Sequence, residues 1–144
     1  MSATITHFGD VTVWDFDDGI REVHRKGQKM VLVDSGKWQD NGSSSVLAPT
    51  FDWSELQTSA IECIEFGPEV IGLEQIAGST TLQIRCAGDE DALDLHISHN
   101  VWIGERGHVM KSRYERTHDA GGIFWNWEVT GLDVEPTGPL PPGW

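Results

Sequence analysis

The sequence predicts a mostly β fold, an antiparallel sandwich or barrel with at most one short helix. Two observations predict it. Apolar and polar residues alternate with period two through several short runs, and turn-forming residues recur at close spacing between them. Roughly seven to ten short strands joined by such turns are the pattern of sandwiches and barrels. The alternative is an α+β domain, with one helix packed on a curved antiparallel sheet. At 144 residues the chain reads as one domain over 1–136, followed by a Pro/Gly-rich tail over 137–144, TGPLPPGW.

The clearest element is a hairpin within 80–103, TTLQIRCAGDEDALDLHISHNVWI. Leu82, Ile84 and Cys86 alternate with Thr81, Gln83 and Arg85. Leu93, Leu95 and Ile97 alternate with Asp94, His96 and Ser98. A turn at Gly88-Asp89-Glu90-Asp91 would set Ala87 opposite Ala92. Leu82 would then meet Ile97, Ile84 would meet Leu95, and Cys86 would meet Leu93. Arg85 would meet Asp94 on the other face. This register matches apolar with apolar and cation with anion. Burying each of those inner side chains contributes about 1.5–3 kcal/mol before entropy. After Ile97 the apolar phase is expected to shift at a bulge, exposing residues between Ser98 and Trp102.

Ahead of the hairpin, residues 1–10 suggest a short edge segment around Ile5. The run VTVWDF, 11–16, and the stretch 20–25 flank an Asp17-Asp18-Gly19 turn and read as paired strands. Residues 30–33 complete a meander after a turn at 26–28. The polar stretch 34–45, DSGKWQDNGSSS, reads as a long loop, with Trp38 expected as a lid on the core. Asp52 and Glu55 have capping-box spacing and predict a helical turn near 53–57. A strand is expected at 60–66, and one helix through Ile64 is the close alternative. Residues 70–76, VIGLEQI, read as a strand. The stretch 108–116 is charged, with few apolar members, and is expected at an edge. Ile123–Val129, IFWNWEV, is the last strong strand.

Charge carries the functional reading. There are 23 acids against 10 bases, a net charge of −13. That disfavours direct nucleic-acid binding, whose affinity comes from cationic contacts to phosphate, and disfavours anionic membranes. Between Trp38 and Ile84 there is no Lys or Arg, while Asp40, Asp52, Glu55, Glu62, Glu65, Glu69 and Glu74 all fall there. Such a surface suits a basic protein partner. The expected partner-binding residues are Trp38, Asp40, Asp52, Trp53, Glu55, Glu62 and Glu65, the two tryptophans serving as anchors.

Motifs for chemistry are missing. The chain has no nucleophile elbow, phosphate loop, C-x-x-C pair or dinucleotide fingerprint, and no catalytic residue, metal site or cofactor is expected. His96 and His99 lie three apart, so a regular strand points them to opposite faces. The two cysteines, Cys63 and Cys86, read as reduced core thiols. The opening residues lack the basic and apolar regions of an export signal, and no apolar run reaches spanning length, so a cytoplasmic location is expected.

The leading expectation is thus a non-enzymatic, acidic protein-binding module, such as a cytosolic inhibitor or immunity-type protein. One alternative uses some of the seven tryptophans to bind a carbohydrate or small ligand. His99, Asn100 and Trp102 are its candidate residues, with Trp102 exposed. The Trp125/Trp127 pair reads as core, because Ile123 and Val129 share its face. A small barrel-type enzyme or metal protein is the second alternative.

Overall fold

The structure is a computed structural model and describes residues 1–33, 35–40, 53–54, 57, 67–90, 95–118 and 121–144. Ten strands occur: β1 (Ser2–Phe8), β2 (Val11–Phe16), β3 (Arg21–Arg25), β4 (Gln28–Leu32), β5 (Trp38–Asp40), β6 (Glu69–Ile76), β7 (Ser79–Glu90), β8 (Leu95–Gly104), β9 (Val109–His118) and β10 (Gly121–Leu132). All belong to one sheet, in the order β5-β4-β3-β2-β1-β10-β9-β8-β7-β6. The mostly β expectation holds. Among the described residues the sheet does not close, since no pairing joins β5 to β6.

Two antiparallel meanders, β1–β5 and β6–β10, meet where β1 pairs with β10 in parallel. Strands from the beginning and end of the sequence therefore form the centre, and mid-chain strands form both edges. This corrects the edge expectation for residues 1–10. β1 carries just two buried apolar side chains, Ala3 and Ile5, but neighbours cover them on both sides. Ala3 sits between Phe16 and Trp127, and Ile5 between Trp14 and Val129. Trp14 is fully buried, with the Trp127 ring edge-on at 6.5 Å and Phe16 stacked at 5.9 Å. Aromatic pairs at such spacings add roughly 0.5–1.5 kcal/mol beyond their buried area.

The opposite face of β2 and β3 holds Val11, Val13 and Val23, packed against Trp38, Leu140 and Trp144. Trp38 thus covers core, as the lid expectation has it. Part of the loop expected over 34–45 is instead β5, which pairs with β4. The Pro/Gly tail lies on the sheet. The Arg21 guanidinium is forked onto Asp15 at 2.6 and 2.9 Å and donates to the carbonyls of Thr137 (2.8 Å) and Pro139 (3.1 Å). Asp15 raises the pKa of Arg21, so this fork stays charged. Arg25 donates to the Gly143 carbonyl at 3.2 Å. Proline cannot supply a ladder of N–H groups, so side chains anchor the tail.

The β7–β8 hairpin buries Ile84 and Cys86 as expected, but leaves Leu82 exposed and does not keep the expected register. Leu82 pairs with Ile103, Ile84 with Val101, Cys86 with His99 and Arg85 with Asn100. Its connection is 91–94, outside the described residues, because β7 runs on through Glu90. The expected pairing would have set 101–103 against 76–78. Ala77 and Gly78 form the tight β6–β7 turn there, with φ of 47° and 77°. Backbone in that turn cannot continue a ladder, so the observed register uses the full length of β7. The expected phase shift after Ile97 is also absent. Ile97, His99, Val101 and Ile103 share one face, with His99 taking an inward position. The irregularity lies on the other side of β8, against β9, between Trp102 and Ile103.

β9 is central rather than an edge. Its charged side chains find partners on other strands: Lys111 Nζ lies 3.2 Å from Glu128 on β10 and 3.7 Å from Glu74 on β6. Arg113 stands over the Phe124 ring at 5.2 Å. Trp53, Ser54 and Gln57 are helical. The strand expected at 60–66 lies outside the described residues.

Cys86 is disulfide-bonded, which corrects the expectation of reduced thiols. Its position is buried on the inner face of β7. The cysteine count alone carried no information on that environment; the chain's other cysteine, Cys63, lies outside the described residues.

Candidate functional site

The stretch without Lys or Arg contains both edge strands of the sheet. β5, WQD, and β6, EVIGLEQI, are the two ends of the strand order. Bases elsewhere are largely engaged with carboxylates of the same chain. Besides Arg21 and Lys111, Arg25 lies 3.1 Å and Lys26 3.5 Å from Asp10. Lys29 lies 3.1 Å from the buried Glu22, and Arg106 lies 2.6 Å from Asp133. The Arg25 hydrogen bond lowers the pKa of Asp10, and the Arg106 hydrogen bond lowers that of Asp133. Both carboxylates are therefore committed to local cations.

Of the expected partner-binding residues, Asp52, Glu55, Glu62 and Glu65 lie outside the described residues. The remaining three are not brought together. Trp38 and Asp40 stand on β5, with Trp38 packed towards Val11, Val13 and Val23. Trp53 packs on the other core, stacked on the His7 ring at 4.3 Å and edge-on to His108 at 5.7 Å. Gln57 fixes this segment by pairing both its amide atoms with the backbone of Val109. Its Nε2 donates to the carbonyl at 3.2 Å, and its Oε1 accepts from the N–H at 2.6 Å. The two tryptophan anchors thus serve opposite faces of the sheet.

The alternative site fares differently. Asn100 and Trp102 share a face, opposite Val101, as expected. Trp102, however, is 6% exposed, which corrects its assignment as an exposed ring. The Lys111 ammonium sits 4.8 Å from its ring centroid, held there by Glu128 and Glu74, and no ligand face is left open. Asn100 accepts from Gln83 at 3.2 Å. His99 points inward, 2.8 Å from Ser112 Oγ and edge-on to Tyr114, and burial lowers its pKa. Trp127 is buried, and Trp125 is half-buried against Phe16. His96 and His99 do point to opposite faces. Among the described residues no group of three or more His, Cys, Asp or Glu side chains is placed to hold a metal ion.

A feature the sequence reading passed over is the apolar surface of the β6 edge. Val70 is 63% exposed and Leu73 73% exposed, with Ile71 and Leu82 also open. Leu73 pairs with Leu82, so the two project from one face. The signal was present in VIGLEQI, whose apolar side chains read as core until β6 is seen to have no outer neighbour among the described residues.

No family model matches the chain, and no curated protein matches it. Among the described residues no helix is long and apolar enough to cross a membrane.

Proposed function

We propose that this chain is a non-enzymatic protein-binding module that engages a partner through a basic surface, in the manner of an inhibitor or immunity-type protein. One observation carries the reading: the cation-free stretch supplies both strands that end the sheet among the described residues, while Arg21, Arg25, Lys29 and Lys111 of the interior strands are held in internal ion pairs. The net charge of −13 gives the molecule an overall negative field that would draw in a basic partner. Opposed fields of this kind accelerate encounter and reject acidic competitors. The carbohydrate or small-ligand reading loses its main support with the burial of Trp102 and Trp127.

Compartment belongs to the proposal. A disulfide at Cys86 fits an oxidising compartment better than the cytosol. Inhibition of a basic partner is compatible with either setting.

The test is co-purification of the intact protein from its source at low and high salt. A stoichiometric partner with a basic surface, released as salt rises, is the expected result. A partner held equally at both salt levels, or an acidic one, would refute the reading.

A further inference from the structure

We infer that the face of β2 and β3 that carries Val11, Val13 and Val23 is a binding site for a proline-rich segment of a partner, and that the chain's own residues 137–144 close it until such a segment displaces them. The inference goes beyond the basic-partner reading and does not depend on it. What the site takes is legible because one example is bound there: TGPLPPGW.

Residues 137–144 are held as a ligand is held. Asp133 donates its N–H to the His7 carbonyl at 2.9 Å. Beyond it, the one backbone–backbone bond among the described residues is internal, from the Trp144 N–H to the Pro141 carbonyl at 3.1 Å. Side chains tie the segment to the sheet. Leu140 and Trp144 pack on the three valines, where Trp38 of β5 also packs. Arg21 donates to the carbonyls of Thr137 and Pro139, and Arg25 to that of Gly143. Proline-rich segments suit this mode, because Pro139, Pro141 and Pro142 bring no N–H, pre-set an extended chain and leave carbonyls free to accept.

The contacts define a pattern. Gly138 has φ of 87°, and a Cβ there would run into the Arg21 guanidinium, so glycine is required between the two carbonyls that Arg21 takes. Val13 and Val23 are fully buried, which calls for the large apolar side chain of Leu140 and the ring of Trp144 above them. The segment sought is Gly-Pro-apolar, with an aromatic residue at the spacing of Trp144. Asp15 and Asp10 already meet the charges of Arg21 and Arg25, so the arginines act as donors and ask for no acid in the segment.

The hold also permits exchange. Thr137, Gly138, Pro139, Pro142 and Gly143 are exposed, and Leu140 and Trp144 are half-buried. A segment with so few buried contacts opens at lower cost than the domain unfolds. A second copy is the poorer source of the incoming segment. Its 137–144 would make the same contacts as the segment it replaces, and association would still cost translational and rotational freedom. A partner with further contacts of its own offsets that cost.

The experiment uses the whole, isotope-labelled chain, the same chain with Trp144→Ala to loosen its own segment, and a capped TGPLPPGW peptide. Expected are saturable shifts of the amide signals of 11–16 and 21–25 in the Trp144→Ala chain. Binding to the parent should be weaker by about tenfold, because its own segment competes. Gly138→Ala in the whole chain loosens the segment at its other end and should open the site in the same way. The peptide carrying Gly138→Ala should bind the loosened chains about tenfold more weakly than the unaltered peptide. No binding to either loosened chain, or equal binding of the two peptides, would overturn the site. Equal affinity for parent and loosened chains would overturn the closing role of 137–144. Dimers of the parent that form with rising concentration and dissociate on adding peptide would overturn the partner in favour of exchange between copies.

Discussion

Replacing Arg21 by Met should detach the C-terminal segment from the sheet. Arg21 is 13% exposed, while its partner Asp15 is 45% exposed. The ion pair is thus partly solvated and contributes about 0.2–1 kcal/mol. Each of its bonds to the carbonyls of Thr137 and Pro139 adds about 0.5–1.5 kcal/mol net. A loss of about 2 kcal/mol is expected, a sizeable share of the roughly 5–15 kcal/mol that holds a domain together. Trp144→Ala removes a half-buried ring from Val11, Val13 and Val23, and about 1–2 kcal/mol with it. Both substitutions act through the same segment, so the double variant should lose less than the two separate losses combined, by more than about 0.5 kcal/mol. Denaturant midpoints for the four proteins measure this directly. Arg21→Lys keeps the charge but loses the fork, and should behave nearly like the Met variant. Full additivity, or a Lys variant as stable as the parent, would refute an anchoring role for Arg21.

Two further outcomes follow from burial. Burial lowers the pKa of His99 and of His7, so the unfolded chain takes up their protons before the folded one does. Stability should therefore be at its plateau above the ordinary histidine value of 6.5 and fall as pH drops through the lowered folded values. His99→Gln should flatten that fall in denaturation curves taken from about pH 8 to pH 5, and an unchanged slope would count against the buried neutral imidazole. The Cys86 disulfide predicts that the denatured, unreduced protein resists alkylation, and that reduction costs about 2–4 kcal/mol. Alkylation of Cys86 without reductant, read by mass spectrometry, would refute the bond.

What the sequence revealed was local, and what it concealed was order. Alternation in 82–86 identified an inner face because side-chain direction depends on the residue's own strand. Register was misplaced because it depends on where the neighbouring turn stops the ladder, and the Ala77–Gly78 turn had no weight in a two-strand comparison. His99 broke the apparent phase because an imidazole at an inward position looks polar until Ser112 is seen beside it. β9 looked like an edge because Lys111 reaches Glu74 on β6, a partner remote in sequence that no local pattern announces. The acidic stretch was plain as composition, but the expected site residues within it were chosen by residue type. Trp38 and Trp53 then proved to serve opposite faces.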